Sequence, residues 1–329
     1  MEFNIPVISV GNLCLGGTGK SPHVEYLIRT LKLNFFLAIL SRGYGRNTLG
    51  FLLVNENAHS LEAGDEPLQF KRKFTDVVVA VDKKRVHGIK KIQELFPKVN
   101  LVLLDDAFQH RAVKPVVSIL LTDFNKLFMD DFVIPGRTLR EFRSGYKRAN
   151  IIIVSKSPEN IDPLEKKEIL NRIMPLAHQR VYFSFIKYGD FIPLKGTIPM
   201  KEFSLNKKYF FEKNFTIILL TGIANSDPLE KYLKEKVNNL IVINFGDHHQ
   251  YSITDLSRVK RKFNEVASAN KIILTTEKDA MRLDGPPLRE AFNNLPVYYI
   301  PIEIGFSEEE EQEFNKQIME YIGAGNSYL

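Results

Sequence analysis

The sequence predicts an α/β fold with a mostly parallel sheet and a second, smaller α/β lobe. Short apolar runs recur along the first half of the chain, with amphipathic helical stretches between them. Uninterrupted apolar strands are typical of a parallel sheet that is covered on both faces. A second series of such runs later in the chain predicts the second lobe. The runs of the first series are residues 7–10, 36–41, 77–81, 101–105, 116–122 and 151–155.

The composition is that of a globular protein of 329 residues, long enough for two domains. The formal net charge of +6 is spread along the chain, which favours an anionic ligand or surface without indicating a nucleic-acid partner. Cys14 is the single cysteine, which excludes an internal disulfide and a multi-cysteine zinc site and predicts a reducing, cytoplasmic location. No signal peptide is recognisable, and no apolar run approaches the roughly 20 residues of a membrane-spanning helix.

Local patterns predict the connecting elements. Apolar side chains recur at i, i+3, i+4 and i+7 from Val24 to Leu31, which predicts the first helix. A later helix is expected to begin at Pro163 with Asp162 as its N-cap. Residues 181–212 alternate aromatic and polar side chains between glycines and prolines, which predicts an antiparallel β-ribbon linker between the lobes.

The second lobe and the last helix complete the predicted organisation. Strands are expected at residues 215–221, 240–245, 272–275 and 297–300. The last helix opens with a capping box from Ser307 to Glu310, and it carries Phe314, Ile318 and Ile322 on one face. The predicted divisions are a nucleotide-binding core at 1–180, the ribbon at 181–212, the smaller lobe at 213–305, and a helix at 306–329 that packs back on the core.

A glycine-rich loop between the first strand and the first helix is the sharpest signal in the sequence. Gly-Gly-Thr-Gly-Lys-Ser occupies the strand–loop–helix context that a P-loop requires, so the fold is expected to be P-loop NTPase-like. Cys14 stands where the strict pattern has glycine, and the alternative is a glycine turn with a chance Gly-Lys-Ser. In a P-loop the backbone N–H groups and the lysine bind phosphate oxygens, and the hydroxyl binds Mg²⁺. The candidate ATP-binding residues are Gly16, Gly17, Thr18, Gly19, Lys20 and Ser21.

Two acids follow the apolar run at 101–104, at the strand end where open α/β sheets bind ligands. Asp105 and Asp106 are the candidate Mg²⁺ ligands together with Ser21, with Asp106 the preferred contact. The alternative is a pair of solvated turn residues. Because a P-loop is also present, we expect nucleotide binding.

Together with further motifs, these features make the sequence resemble the tetraacyldisaccharide 4′-kinase family. Two strings are distinctive: Ser-Arg-Gly-Tyr-Gly-Arg at 41–46 and Asp-Asp-Ala-Phe-Gln-His at 105–110. The matching stretches follow the family order over most of the chain. They are residues 7–13, 16–22, 40–46, 64–67, 105–111, 139–141, 221–225, 245–249 and 276–279.

The resemblance implies an enzyme that uses ATP and Mg²⁺ to phosphorylate the 4′-hydroxyl of a tetraacyldisaccharide 1-phosphate, giving a lipid A precursor. The family's catalytic aspartate and histidine match Asp65 and His248, and Lys20 completes the catalytic set. We expect Asp65 to accept the hydroxyl proton and His248 to orient or tune it. Without the resemblance, Asp65 would be read equally well as a turn aspartate, and for His248 a polar turn at a strand end would be the favoured interpretation. The residues that match substrate or phosphate contacts are Tyr44, Arg85, Gln109, His110, Arg140 and Glu141.

Three positions depart from the family pattern: Ser21 replaces threonine, Ala107 replaces glycine, and Phe142 replaces proline. Family members usually begin with a hydrophobic segment that rests on the inner membrane, whereas residues 1–6 here lead directly into the first strand. Basic and aromatic clusters offer another route to peripheral contact with the cytoplasmic face of that membrane. The competing interpretation is a solvated helix face for residues 83–85 with 90–91 and a buried strand entry for residues 207–211. The clusters are residues 71–74, 83–85 with 90–91, and 207–211.

Two other protein classes share single features with this sequence. Partition- or septum-positioning ATPases, which act through DNA or membrane partners, have a similar loop but carry a lysine where Leu15 stands. A metallohydrolase would need several acids and histidines to converge on one or two ions, and no His-x-x-x-His spacing supports that. The candidate ligands of such a site are Asp105, Asp106, His110, Asp247, His248 and His249.

Overall fold

The computed structural model describes residues 1–197, 206–247 and 249–326. The chain divides into two compact units. The first unit contains Met1–Lys187 and Glu303–Leu329, and the second contains Tyr188–Ile302. The second unit is therefore one continuous stretch of chain, and the first is assembled from the residues on either side of it.

Helices and strands alternate along both units. From Val7 to Tyr188 the elements are β1 (Val7–Asn12), α1 (Lys20–Leu31), β2 (Leu37–Ser41), β3 (Leu52–Leu53), α2 (Ser60–Ala63), α3 (Asp65–Lys73), β4 (Val78–Val81), α4 (Arg85–Leu95), β5 (Leu101–Leu104), β6 (Val117–Asp123), β7 (Ile151–Ser155), α5 (Pro163–Ile173), β8 (Arg180–Phe183) and β9 (Phe185–Tyr188). The remaining elements are β10 (Ile192–Pro193), α6 (Lys207–Glu212), β11 (Thr216–Thr221), α7 (Asp227–Lys234), β12 (Leu240–Asn244), α8 (Ile253–Glu265), β13 (Lys271–Thr276), α9 (Glu277–Leu283), α10 (Pro286–Ala291), β14 (Val297–Ile300), β15 (Ile302–Gly305) and α11 (Glu308–Asn326).

The first unit is built on a sheet with strand order β3-β4-β2-β5-β1-β6-β7-β8. The neighbouring pairs are parallel except β3 with β4, which confirms the predicted α/β fold with a mostly parallel sheet. Strand β1 lies near the middle, with Ser9 opposite Leu104 of β5 and Ser118 of β6. Because parallel strands end at the same edge, the segments that follow β1, β2 and β5 lie side by side there.

Helices α1 and α11 pack on this sheet. The predicted apolar face of α1 is buried, with Val24 and Ile28 fully inaccessible, and Phe314 and Ile318 of α11 lie in the same cluster. Burying each such side chain contributes roughly 1.5–3 kcal/mol. The hydroxyl of Tyr26 joins the two helices by donating toward Glu311 and Asn315 on α11.

The two predicted helix caps have different outcomes. Asp162 caps α5 as predicted, because its carboxylate accepts a hydrogen bond from Leu164 N at 2.8 Å. The capping box at Ser307 forms only in part. Ser307 Oγ accepts from Glu310 N at 3.4 Å, but the Glu310 carboxylate accepts from Phe183 N at 2.9 Å. The glutamate therefore ties α11 to β8 instead of closing its own cap.

The second unit has a sheet of strand order β10-β14-β13-β11-β12, parallel apart from β10. Its four parallel strands lie where the sequence predicts them. Ile217 and Leu219 point into one buried cluster, while Ile218 and Leu220 point into the other, so both faces of the sheet are covered. Among the helices that the structure describes, none is long and apolar enough to cross a membrane.

Residues 181–212 do not by themselves form the predicted antiparallel ribbon, although β9 of this stretch forms a two-stranded sheet with β15. Strand β8 extends the first sheet parallel to β7, β9 pairs with β15, β10 pairs with β14, and α6 is helical. Residues 198–205 of this stretch lie outside the described residues. The aromatic side chains belong to different cores: Tyr182 is buried in the first unit, whereas Phe191 and Phe210 are buried in the second. The alternation of aromatic and polar residues therefore reflects burial in two cores and several separate strand pairings, and not one antiparallel ribbon.

Candidate functional site

The glycine-rich loop connects the end of β1 to the start of α1. Gly16 and Gly19 have φ angles of 108° and 80°, the left-handed region that glycine adopts without steric cost. Gly16 and Gly17 are exposed, and no other atom lies within 4 Å of the position that a Cβ would take on either. Helix α1 begins at Lys20, so the first N–H groups of the helix lack helical acceptors. The loop and the helix start together form an open anion-binding cradle.

Buried side chains hold the side of this loop that faces the sheet. Asn12 Nδ2 donates to Thr18 Oγ1 at 2.9 Å, and Ser155 Oγ, at the end of β7, donates to Thr18 O at 2.9 Å. Because Ser155 holds this carbonyl oxygen against the sheet, the loop is fixed from behind while Gly16 and Gly17 stay exposed. Neither Asn12 nor Ser155 carries a signal in the sequence that predicts this role.

His23 fixes the last residue of the loop. Its Nδ1 lies 2.6 Å from Gly19 O and its Nε2 lies 2.9 Å from Ser184 Oγ. A carbonyl oxygen can only accept, so Nδ1 carries the proton and Nε2 accepts from the serine. Burial lowers the pKa of His23 to about 4, which keeps the ring neutral. The sequence carried a weak local signal, because a residue four positions after Gly19 lies over that glycine on the helix.

Asp106 is placed opposite the loop by the end of β5. Its carboxylate accepts from Arg140 Nη1 at 2.9 and 3.0 Å, and Lys20 Nζ lies 3.6 Å away. Burial opposes ionisation, but the charges of Lys20 and Arg140 hold the pKa of Asp106 below its usual value. Lys20 Nζ also donates to Asn12 Oδ1 at 3.3 Å. The structure thus brings together Lys20, Asp106 and Arg140.

Asp105 is buried beside it. Ser41 Oγ donates to Asp105 Oδ2 at 2.5 Å, and in the described part of the chain Oδ1 has no hydrogen-bond partner. Burial and then the neighbouring Asp106 raise the pKa of Asp105 to about 6. A buried carboxylate oxygen without a donor is costly unless a cation approaches it. Asp105 therefore has the character of a cation ligand.

Arg85 is buried, whereas the predicted substrate contact would place it at an accessible surface. Its side chain is buried, with 2% of its surface exposed, and its guanidinium donates to the backbone oxygens of Asp82 and Asp105. Burial lowers its pKa to about 10. This geometry ties the segment after β4 to the segment after β5 and leaves little surface for a substrate.

Gln109 and Glu141 lie at the base of the loop. Gln109 Nε2 donates to Asn12 O at 2.7 Å and to Glu141 Oε1 at 3.3 Å. Glu141 also accepts from Arg148 Nη2 at 2.8 Å. His110 is half-buried, and burial followed by the charge of Arg85 lowers its pKa. The predicted residues Gln109, Glu141, Lys20 and Asp106 thus surround the same loop.

Asp65 begins α3 next to the loop that carries Tyr44. A Cβ on Gly64 would lie 3.0 Å from Tyr44 O, and a Cβ on Gly43 would lie 2.9 Å from Ala63 O. Gly43 and Gly64 have φ angles of 69° and 96°, so glycine allows both the conformation and the close approach. Asp65 is 8% exposed and Tyr44 is 65% exposed. The two predicted residues therefore lie on adjoining segments.

The second unit carries two further candidate residues, His248 and His249. His248 lies outside the described residues. His249 Nε2 is 3.0 Å from Asp255 Oδ2, and its ring stacks on Phe245. Within the described ranges, no group of three or more His, Cys, Asp or Glu side chains is placed to hold a metal ion, so no cluster of the metallohydrolase kind is found there.

Comparison with known proteins gives a consistent result. A family model described as tetraacyldisaccharide-1-P 4′-kinase (LpxK) matches residues 1–322. Tetraacyldisaccharide 4′-kinases of Bacteroides thetaiotaomicron and Bacteroides fragilis are 40% and 41% identical over 324 and 327 residues, which is 98% of this chain and 85% of each relative. The crystal structure of LpxK from Aquifex aeolicus in complex with ATP is similar, with a TM-score of 0.71 and 26% identity, over 98% of this chain and 90% of that one.

Proposed function

The chain belongs to the tetraacyldisaccharide 4′-kinase family and is a kinase of lipid A biosynthesis, and from this premise we propose how its residues carry out the transfer. The glycine-rich loop binds ATP, and the γ-phosphate passes to the 4′-hydroxyl of a tetraacyldisaccharide 1-phosphate. The observation that carries this assignment is the grouping of Lys20, Asp106 and Arg140 at the loop, at the carboxyl edge of a parallel sheet. The family match does not favour a partition-type ATPase.

The loop binds the phosphates. Residues Gly16 to Ser21 present their N–H groups and the start of α1 to the phosphate oxygens, and Lys20 reaches the outer phosphates. The family's ATP-bound relative supports this ligand. Arg140, which donates to Asp106 through Nη1, can bind a phosphate through two parallel N–H groups.

The residues at the loop fit Mg²⁺. The orphaned Asp105 Oδ1, the ionised Asp106 and the Ser21 hydroxyl are hard oxygen donors, which Mg²⁺ prefers. When bound, the ion would neutralise charge on the β- and γ-phosphates. Ser21 serves as well as threonine because both supply a hydroxyl.

Asp65 acts as the base. As the sugar oxygen attacks the γ-phosphorus, the bond from that phosphorus to the bridging oxygen breaks, ADP leaves, and the hydroxyl proton passes to the Asp65 carboxylate. Proton acceptance of this kind contributes about 10²–10⁴ in rate. Tyr44, on the adjoining segment, is exposed and suited to contact the sugar. The role of His248 in orienting the base stays a prediction.

Transfer of radiolabel from ATP to the acylated disaccharide tests this assignment. Lys20→Ala and Asp65→Asn should each lower transfer by about 10²–10⁴. Asp65→Asn should leave the Kd for ATP within about twofold, because the side chain acts on the acceptor. Asp76→Asn, at an exposed surface pair with Lys32, is the matched control and should transfer normally. Full activity of both test variants would contradict the mechanism.

We place the enzyme at the cytoplasmic face of the inner membrane as a peripheral protein, because its acceptor is a lipid. Two of the three clusters considered in the sequence do not support this contact through their aromatic side chains. Phe74 is 5% exposed and Phe210 is 2% exposed. Lys73 of the first cluster pairs with the buried Glu25 at 2.8 Å, so its charge is directed toward the core.

A further inference from the structure

A turn beside the phosphate loop exposes large apolar side chains. We call residues 131–143 the apolar turn. Phe132, Ile134 and Phe142 are 56%, 48% and 75% exposed, and Leu15 of the neighbouring loop is 51% exposed. Single exposed apolar residues are common, but a group of this size on one surface marks an interaction site.

Hydrogen bonds fix the backbone of the apolar turn. Leu139 N donates to Phe132 O at 2.9 Å, and Ile134 N donates to Leu139 O at 3.0 Å. The buried Asp131 accepts from Phe132 N at 2.8 Å and from Thr138 N at 3.1 Å. The backbone is therefore fixed in a shape that holds the exposed rings away from the core. Exposing apolar side chains to water does not stabilise the fold. The fixed exposure therefore indicates that the surface of another molecule or assembly covers these side chains.

Positive charge surrounds these rings. Residues 131–148 contain five arginines and lysines and two acidic residues, of which Asp131 is buried. The guanidinium carbons of Arg143 and Arg137 lie 5.3 and 6.0 Å from the centre of the Phe132 ring. Arg137, Arg143 and Lys147 are exposed. Aromatic rings among exposed arginines suit the headgroup region of an anionic bilayer, where the rings enter the interface and the cations meet lipid phosphates.

The turn is bonded directly to the catalytic loop. Leu15 N donates to Thr138 O at 2.7 Å, and Arg140 N donates to Leu13 O at 2.7 Å. Any surface that the turn contacts is therefore held at a fixed position relative to the bound nucleotide. This coupling gives membrane contact a purpose, because the acceptor of the proposed reaction is a lipid.

We propose that the apolar turn inserts Phe132, Ile134 and Phe142 into the interface of an anionic lipid bilayer and so positions the phosphate loop at the membrane. The benefit to catalysis rests on the proposed function, but the binding itself does not. The occupant is the bilayer, not the acyl chains of one bound acceptor, because Arg137 and Arg143 flank the Phe132 ring and exposed cations of this kind match a continuous anionic surface.

A single-tryptophan reporter tests the insertion, since the chain contains no tryptophan. Phe142→Trp should shift its emission to the blue with phosphatidylglycerol vesicles free of acceptor, and lipids brominated on their chains should quench it. Phe36→Trp is the matched control, because Phe36 is 64% exposed and precedes β2 at the opposite edge of the sheet. Absence of a shift at 142, or an equal shift at 36, would overturn the proposal.

Paired substitutions separate this proposal from the kinase assignment. Phe132→Ser with Phe142→Ser should weaken sedimentation with phosphatidylglycerol vesicles at least about tenfold. Leu33→Ser with Phe36→Ser should not weaken it. The first pair should keep transfer to a detergent-dispersed acceptor within about twofold while losing transfer to an acceptor in vesicles. Loss of the detergent reaction, with no binding to acceptor-free vesicles by the unaltered protein, would assign the turn to acyl chains and overturn the proposal. Normal vesicle binding without any kinase activity would sustain it and refute the kinase mechanism instead.

Discussion

Replacing Asp131 should destabilise the first unit in a way that depends on pH. Although burial opposes ionisation, hydrogen bonds from Thr138 and Phe132 lower the pKa of Asp131 to about 2, against 3.8 for the unperturbed group. A lowered pKa contributes stability above about pH 4, and that stability is lost as the pH falls toward about 2. At 1.36 kcal/mol per pKa unit, the contribution at neutral pH is about 2 kcal/mol.

Two variants resolve this contribution. Asp131→Asn keeps one oxygen for the N–H groups of Phe132 and Thr138 but loses the charge that faces Lys126 at 3.3 Å, so it should lose about 2 kcal/mol at pH 7. Asp131→Ala leaves both N–H groups without this acceptor and should lose about 1 kcal/mol more. For Asp131→Asn the loss should shrink by about half between pH 7 and pH 3.

Urea unfolding followed by circular dichroism at pH 7 and pH 3 measures the effect, and hydrogen exchange at Phe132 and Thr138 reports it locally. Asp130→Asn is the control, because its carboxylate forms a surface pair with Arg172 that is half-exposed. A free energy of unfolding for Asp131→Asn equal to that of the unaltered protein at pH 7, or the same loss at pH 7 and pH 3, would refute the stabilising role of the Asp131 charge.

Three further changes probe the site and the core. His23→Leu removes the proton donor to Gly19 O and should raise the KM for ATP about tenfold, measured by steady-state kinetics, with less effect on kcat. Gly64→Ala places a Cβ 3.0 Å from Tyr44 O in a left-handed backbone, so it should lower kcat through Asp65 and leave the Kd for ATP unchanged in calorimetry. Phe314→Ala, at a side chain that is 1% exposed, should cost about 3–5 kcal/mol in urea unfolding.

Each of these three has a contrary result. An unchanged KM in His23→Leu would mean that the loop keeps its shape without the histidine. Weakened ATP binding in Gly64→Ala would mean that the segment before Asp65 contacts the nucleotide. A loss below about 1 kcal/mol in Phe314→Ala would mean that α11 adds little to the first core.

The phosphate loop could be predicted from the sequence because its signals are local. A buried strand, glycines and an amphipathic helix follow one another within residues 7–31, and each is encoded by its own neighbours. The same holds for the Asp162 cap, whose acceptor and donor are two residues apart. Short-range interactions of this kind form as the sequence predicts because few other interactions compete with them.

The partners of the site could not be predicted, because they come from distant parts of the chain. Arg140 reaches Asp106 across 34 residues, and His23 reaches Ser184 across 161. The ribbon failed for a related reason: the same aromatic pattern suits a sheet edge, a helix face or a strand, and the surrounding cores decide which forms. The burial of Arg85 could not be predicted because a charged residue is rarely buried; here Nη1 and Nη2 donate to two backbone oxygens, while Nε has no partner among the described residues.

The split of the first unit around Tyr188–Ile302 has a consequence for synthesis. A ribosome produces α11 last, so the apolar surface that receives Phe314 and Ile318 stays uncovered while the whole inserted stretch is translated. That stretch is continuous and can fold during this interval, ahead of the unit that surrounds it. A nascent chain that stalls before residue 303 would therefore carry all eight strands of the first sheet but expose the apolar face that α11 covers, the kind of surface that chaperones bind.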